Sequence, residues 1–85
     1  MSKFDKLKER LLSKPKDLSY EELKTLLKGL GYIESNKGKT SGSRVAFIDP
    51  GIRHILRIHK PHPGNILKTY VIAYIIEELK NQNKL

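Results

Sequence analysis

Between residue 2 and Gly31 the apolar positions fall at helical spacing in two separate stretches. Phe4, Leu7, Leu11 and Leu12 recur at intervals of three and four over residues 2–14, with Ser2 as a candidate cap and Pro15 as the stop, which predicts a short amphipathic helix. The second stretch is better signed. Ser19 and Glu22 have the spacing of a capping box, Leu18 and Leu23 can staple the entry, and Leu23, Leu26, Leu27 and Leu30 share one face before Gly31. A helix over about residues 20–30 follows.

After Gly31 the period changes. "GYIES" is a short apolar stretch, "NKGKTSGS" a polar loop, and "SRVAFI" alternates, with Val45 and Phe47 on one side and Arg44, Ala46 and Ile48 on the other. "DPG" at 49–51 predicts a turn in which Pro50 presets one dihedral and Gly51 takes a positive one. "IRHILRIH" alternates again, setting His54, Leu56 and Ile58 against Arg53, Ile55, Arg57 and His59. Three strands in an antiparallel meander are expected. Beyond "PHPGN", Asn65 is a candidate cap for a last segment from about Ile66 to Lys80. Its β-branched run "YVIAYII" would suit a strand, but the segment is too long for one, and Leu67, Val71, Ile75 and Leu79 with Ile72 and Ile76 form a broad helical stripe. A helix apolar on more than one side should touch the sheet and something further, either the first helix or a second chain.

The predicted class is α+β: helix, helix, three antiparallel strands, helix. Without the first helix this is the αβββα order of double-stranded-RNA-binding domains, in which the helices cover one sheet face and leave the other open. At 85 residues the chain is read as one domain whose site is a surface groove rather than an enclosed cavity.

Charge narrows the partner. Seventeen Lys and Arg against nine Asp and Glu give a net charge of +8, which fits a polyanion or an acidic protein. The excess is concentrated, because residues 35–68 hold Lys37, Lys39, Arg44, Arg53, Arg57, Lys60, Lys68 and all three histidines, but only one carboxylate, Asp49. The absence of cysteine excludes a disulfide framework, a thiolate zinc site and a thiol nucleophile. The longest apolar run, Tyr70–Ile76, is far short of the roughly 18 residues that mark a membrane span, and no secretory leader pattern opens the chain, so no membrane partner and a cytoplasmic location are expected.

The densest chemistry lies in "RIHKPHPGN", residues 57–65. His59 and His62 are three apart, but two prolines stiffen the segment and third and fourth zinc ligands are lacking, so neither a metal nor another cofactor is expected. Histidine, with an ordinary pKa of about 6.5, can move protons at neutral pH. Metal-free RNA cleavage needs a base for the 2′-hydroxyl, an acid for the leaving oxygen and a cation on the phosphate, and His59, His62, Arg44 and Arg57 are residues of those types. The plainer alternative for His59 and His62 is turn stabilisation or phosphate binding; His54, between apolar neighbours on its face, is expected to be packed. The loop "NKGKTSGSR" could present backbone N–H groups to an anion, with Lys37, Lys39, Ser43 and Arg44 as further donors, or be an ordinary hairpin loop; it does not follow the Walker pattern. Arg44, Arg57 and His59 should share one exposed sheet face, and Arg53, Lys60 and Lys68 extend the candidate RNA-binding set.

Taken in order, "LLKGLGY", "GSRVAF", "DPG", "HKPHPG" and "NILKTYVI" over about residues 19–80 resemble the HicA-type toxins of bacterial type II toxin-antitoxin systems. The resemblance implies a small fold like that of double-stranded-RNA-binding domains, an mRNA-cleaving activity and a HicB-type antitoxin partner. The family pattern places a glycine, a small residue and a catalytic histidine at the start of the second strand; here these are Gly42, Ser43 and Arg44. The family's later histidine corresponds to His62, with His59 as a further candidate. An arginine holds a phosphate but, with a pKa above about 12, is a poor general base. The resemblance therefore implies phosphate binding at Arg44, with proton transfer at His62 or His59. The alternative is a non-catalytic module of the same fold that binds RNA or protein. The helix over 2–14 is an addition to the family pattern, available as an oligomer contact, an antitoxin contact or extra core.

Overall fold

A computed structural model describes residues 3–35, 44–61 and 64–85. Its elements are α1 (Lys3–Leu12), α2 (Tyr20–Gly29), β1 (Ile33–Ser35), β2 (Arg44–Asp49), β3 (His54–His59) and α3 (Thr69–Asn81). The strands form an antiparallel sheet in the order β1-β2-β3, which leaves β3 at an edge. This is the α+β arrangement predicted for a fold of the double-stranded-RNA-binding kind, with α1 in front of it.

The start of α2 follows its sequence signal closely. Ser19 Oγ accepts from the Glu22 N–H, and the Glu22 carboxylate accepts from the Ser19 N–H, so two of the helix's unpaired donors are satisfied at once. Arg10 of α1 adds a 2.8 Å ion pair to Glu22. Burial alone would raise the Glu22 pKa, but the Ser19 amide and Arg10 outweigh it and hold the carboxyl below the usual range. Gly31, at φ +102°, ends the helix in the left-handed conformation glycine adopts without strain.

Strand alternation places the core. Val45 stands opposite Ile58 and Phe47 opposite Leu56. These four are buried with Leu23, Leu26 and Leu27 of α2, and with Ile72, Ile75, Ile76 and Leu79 of α3. Each such side chain contributes about 1.5–3 kcal/mol relative to an exposed one. Leu7 and Leu11 of α1 join the same cluster, and α1 packs on both α2 and α3. Part of the second apolar side of α3 is thereby covered within the chain, while Tyr70 and Tyr74 stay exposed. His54 is packed as expected: its Nε2 donates to Glu78 Oε1 at 2.9 Å, and its Nδ1 lies 2.6 Å from the Tyr32 hydroxyl.

Several local expectations are corrected. Leu12 is 43% exposed, because it lies about 100° around the helix from buried Leu11. The positive dihedral of the β2–β3 turn belongs to Arg53, at φ +56°, and not to Gly51. Asp49 Oδ1 accepts the Gly51 N–H at 2.9 Å and makes the first bend itself, which moves the left-handed residue two places on. The last helix begins at Thr69, and Asn65 does not cap it. Instead the Asn65 carbonyl accepts the Tyr20 N–H at 2.7 Å and the Leu67 N–H donates to the Leu18 carbonyl at 2.8 Å, so an extended strip is tied to the entry of α2. Ser2, the candidate cap of α1, lies outside the described residues.

Candidate nucleic-acid interface

Odd-numbered positions of β3 and even-numbered positions of β2 point away from the helices, and the pairing register orders them into rows across the open face. In the first row Arg44 is opposite His59; in the second, Ala46 is opposite Arg57, with Ser35 of β1 beyond it; in the third, Ile48 is opposite Ile55, with Ile33 beyond it. Directly opposed side chains have Cβ atoms about 4.5–5.5 Å apart, and diagonal ones remain within reach of long side chains. Arg44, Arg57 and His59, all exposed, therefore form one cluster at the end of the sheet away from the β2–β3 turn. Towards the turn the face becomes apolar, with Ile33 61% and Ile55 37% exposed.

Among the described residues no carboxylate forms an ion pair with this cluster. Asp49, the single acid of residues 35–68, lies at the turn end on the opposite face and is bound there by the Lys84 ammonium. Lys84, with help from the Gly51 amide, holds the Asp49 carboxyl below the usual range. Glu34 on β1 points to the covered face, where the Tyr20 hydroxyl donates to it and Lys24 pairs with it at 3.3 Å. The Tyr20 hydrogen bond, then Lys24, lowers the Glu34 pKa, while burial followed by the hydrogen bond to Glu34 raises that of Tyr20.

The other candidates divide. Lys68 stands just before α3 on the groove between that helix and β3. Lys60 lines the same groove, with its ammonium 5.5 Å from the centre of the Tyr20 ring, on the covered side of the sheet. Arg53 sits in the β2–β3 turn, about 20 Å along β3 from His59 at the ordinary rise per residue, so the fold does not bring it to the cluster. Lys37, Lys39, Ser43 and His62 lie outside the described residues. Among the described residues no three His, Asp or Glu side chains converge as metal ligands would.

Sequence reasoning missed Tyr70 and Tyr74. They line the α3 wall of the groove, and Tyr70 is 69% exposed. As part of the apolar run "YVIAYII" they carry no separate signal; their spacing of four, off the buried positions Ile72, Ile75, Ile76 and Leu79, was the available one.

The family model described as HicA toxin of bacterial toxin-antitoxin matches residues 20–80. The chain belongs to this toxin family, and membership implies a cognate antitoxin. The match begins at the first residue of α2 and leaves α1 outside it. No curated protein and no solved structure matches the chain significantly. No helix among the described residues is long and apolar enough to cross a membrane.

Proposed function

We infer that the protein is a toxin that binds mRNA across the cationic end of its open sheet face and cleaves it without a metal, and that a HicB-type antitoxin neutralises it by covering that face. The placement of Arg44 directly opposite His59, both exposed, carries this reading. It unites a fixed cation with a proton-transfer group within the span of one phosphodiester.

In the proposed step a base takes the proton of a ribose 2′-hydroxyl and the 2′-oxygen attacks the adjacent phosphorus. The bond from phosphorus to the 5′-oxygen breaks as an acid protonates that oxygen. A 2′,3′-cyclic phosphate and a 5′-hydroxyl result, so atoms and charge balance without a co-reactant. Arg44 holds the phosphate oxygens through its planar donor fork and Arg57 adds charge from the diagonal position. His59, with His62 as its partner, supplies the acid and base. The test is purified protein with labelled structured RNA in EDTA, beside a His59→Ala/His62→Ala variant. Cleavage that survives EDTA and is lost in the variant supports the reading; unchanged cleavage by the variant sinks the proton-transfer assignment.

Arg44 also favours a second reading, because it stands where the family pattern has a histidine. A non-catalytic RNA-binding module would give salt-sensitive binding and intact RNA in the same experiment.

A further inference from the structure

The groove between β3 and α3 has a volume of about 600 Å³ and opens beside the Arg44–His59 cluster, since Arg57 and His59 belong to both. We propose that it is a nucleobase site, taking one unpaired base of a single-stranded RNA stacked on Tyr70, with the flanking phosphates held by Lys68 on one wall and Arg57 on the other. The proposal rests on the RNA-binding reading above and adds a ligand class and a selectivity to it.

The argument begins with the two tyrosines. On α3 the core is served by Ile72, Ile75, Ile76 and Leu79, while Tyr70 and Tyr74, one turn apart, are 69% and 37% exposed. Neither ring is needed to bury the helix. An exposed aromatic beside cations is the arrangement on which unstacked bases settle, because every base has a π-face whatever its sequence. Pro61 adds apolar surface to the lining, and the groove lies within the roughly 300–1,000 Å³ usual for small-ligand sites.

Polar recognition is available from the strand edge. The Arg57 N–H donates to the Tyr74 hydroxyl of α3 at a long 3.4 Å. The N–H lies at the edge strand's free side, where the rim of a base can replace so weak a partner. Arg57, Lys60 and Lys68 line the groove and, among the described residues, no carboxylate does, so charge complementarity favours a polyanion over an acidic-residue-poor peptide strand. A paired base cannot turn out of its duplex to enter at no cost, and this makes the site selective for single strands.

The test uses 2′-O-methyl oligoadenylate of about 10 nucleotides, which lacks the attacking hydroxyl, beside the same strand with a central abasic residue and a blunt duplex. Filter binding reads affinity for the wild type and the variants alike, and quenching of tyrosine emission, free of tryptophan background, adds a signal from Tyr70 and Tyr74 beside that of the buried Tyr20 and Tyr32. The intact strand should bind more tightly than the abasic strand and the duplex. Tyr70→Ala should lose about 5- to 150-fold on the intact strand, the range for one base–aromatic stack, and nothing further on the abasic strand; Tyr70→Phe should restore binding. Equal binding of intact and abasic strands, or an unchanged Tyr70→Ala variant, overturns the base site while leaving the RNA reading in place. Failure to bind any of the three at low salt overturns both. Variants that keep RNA affinity but lose antitoxin binding would assign the groove to a protein and overturn the proposal.

Discussion

Arg44 and His59 are directly opposed residues of an antiparallel strand pair, and both side chains leave the sheet on the face the helices do not cover. The relationship depends on register alone: a slip of one residue would send either side chain into the core, where Val45 and Ile58 now sit. Packing of the covered face therefore fixes the spacing of groups on the open one.

Arg44→Ala should weaken RNA binding and lower the slope of log affinity against log salt by about 0.7, the value for one released counterion on a single strand. Arg44→Lys should keep the slope but not the bidentate grip. His59→Ala should leave affinity nearly unchanged and reduce cleavage by roughly 10²- to 10⁴-fold, the usual worth of a positioned acid or base. Equal loss of binding and cleavage in His59→Ala would make it a phosphate ligand instead. Filter binding at several salt concentrations and single-turnover cleavage measure the two effects.

The Tyr32–His54–Glu78 chain is expected to serve stability and not RNA. Tyr32 is 2% exposed, and its hydroxyl is raised to a pKa of about 12 by burial, then by the charges of Asp49 and Glu78. It meets His54 Nδ1 at 2.6 Å on the covered side of the sheet, away from Arg44 and His59. Tyr32→Phe removes one partner of that bond and should cost about 1–3 kcal/mol in urea unfolding, with RNA affinity of the folded fraction unchanged.

Acid should unfold the protein through Glu22, Glu34 and Asp49. Each has a folded-state pKa below its ordinary value, Asp49 and Glu34 through hydrogen bonds from Lys84 and Tyr20, and Glu22 because the Ser19 amide and Arg10 overcome the effect of burial. A lowered carboxyl contributes stability that is complete above its unfolded pKa, about 4, and is lost as pH falls through the folded value. The urea midpoint should accordingly owe no change to these groups above about pH 5, and fall below about pH 4. Asp49→Asn should lower stability at neutral pH and make the acid slope shallower; an unchanged slope would remove Asp49 from the account.

The fold was legible wherever one signal met one requirement. The Ser19–Glu22 box, the Gly31 stop and the alternation of 44–49 and 54–59 each correspond to a single local need, and the open-face grouping of Arg44, Arg57 and His59 follows from alternation. What escaped the sequence depended on long-range pairing. Asn65 has the composition of a cap, but its carbonyl is bound by the Tyr20 N–H, far away in sequence, and the helix starts later. Gly51 is the conformationally freest residue of its turn, yet the Asp49 side chain shaped the bend and gave the left-handed place to Arg53. Tyr70 and Tyr74 were hidden by composition, since aromatic residues inside a β-branched run pass as core until a partner strand shows which side is free.

Helix α1 lies outside the family match, and its packing predicts that it is nevertheless part of the folded unit. Leu11 is fully buried and Leu7 nearly so, within the cluster that holds α2, the sheet and α3 together. Arg10 bonds to Glu22 at 2.8 Å and to Asp17 at 3.0 Å, so the helix is held at its polar edge as well. Leu11→Ala should therefore cost about 2–5 kcal/mol, the range for a buried leucine whose cavity refills only in part. Leu12→Ala, one residue on and 43% exposed, should cost no more than about 0.5 kcal/mol. Against a total of about 5–15 kcal/mol for a domain, the first loss would be plain in the urea midpoint and in amide exchange of α3, and the second would not. Equal, small effects of the two would mean that α1 is undocked in solution and that the 20–80 segment carries the stability by itself.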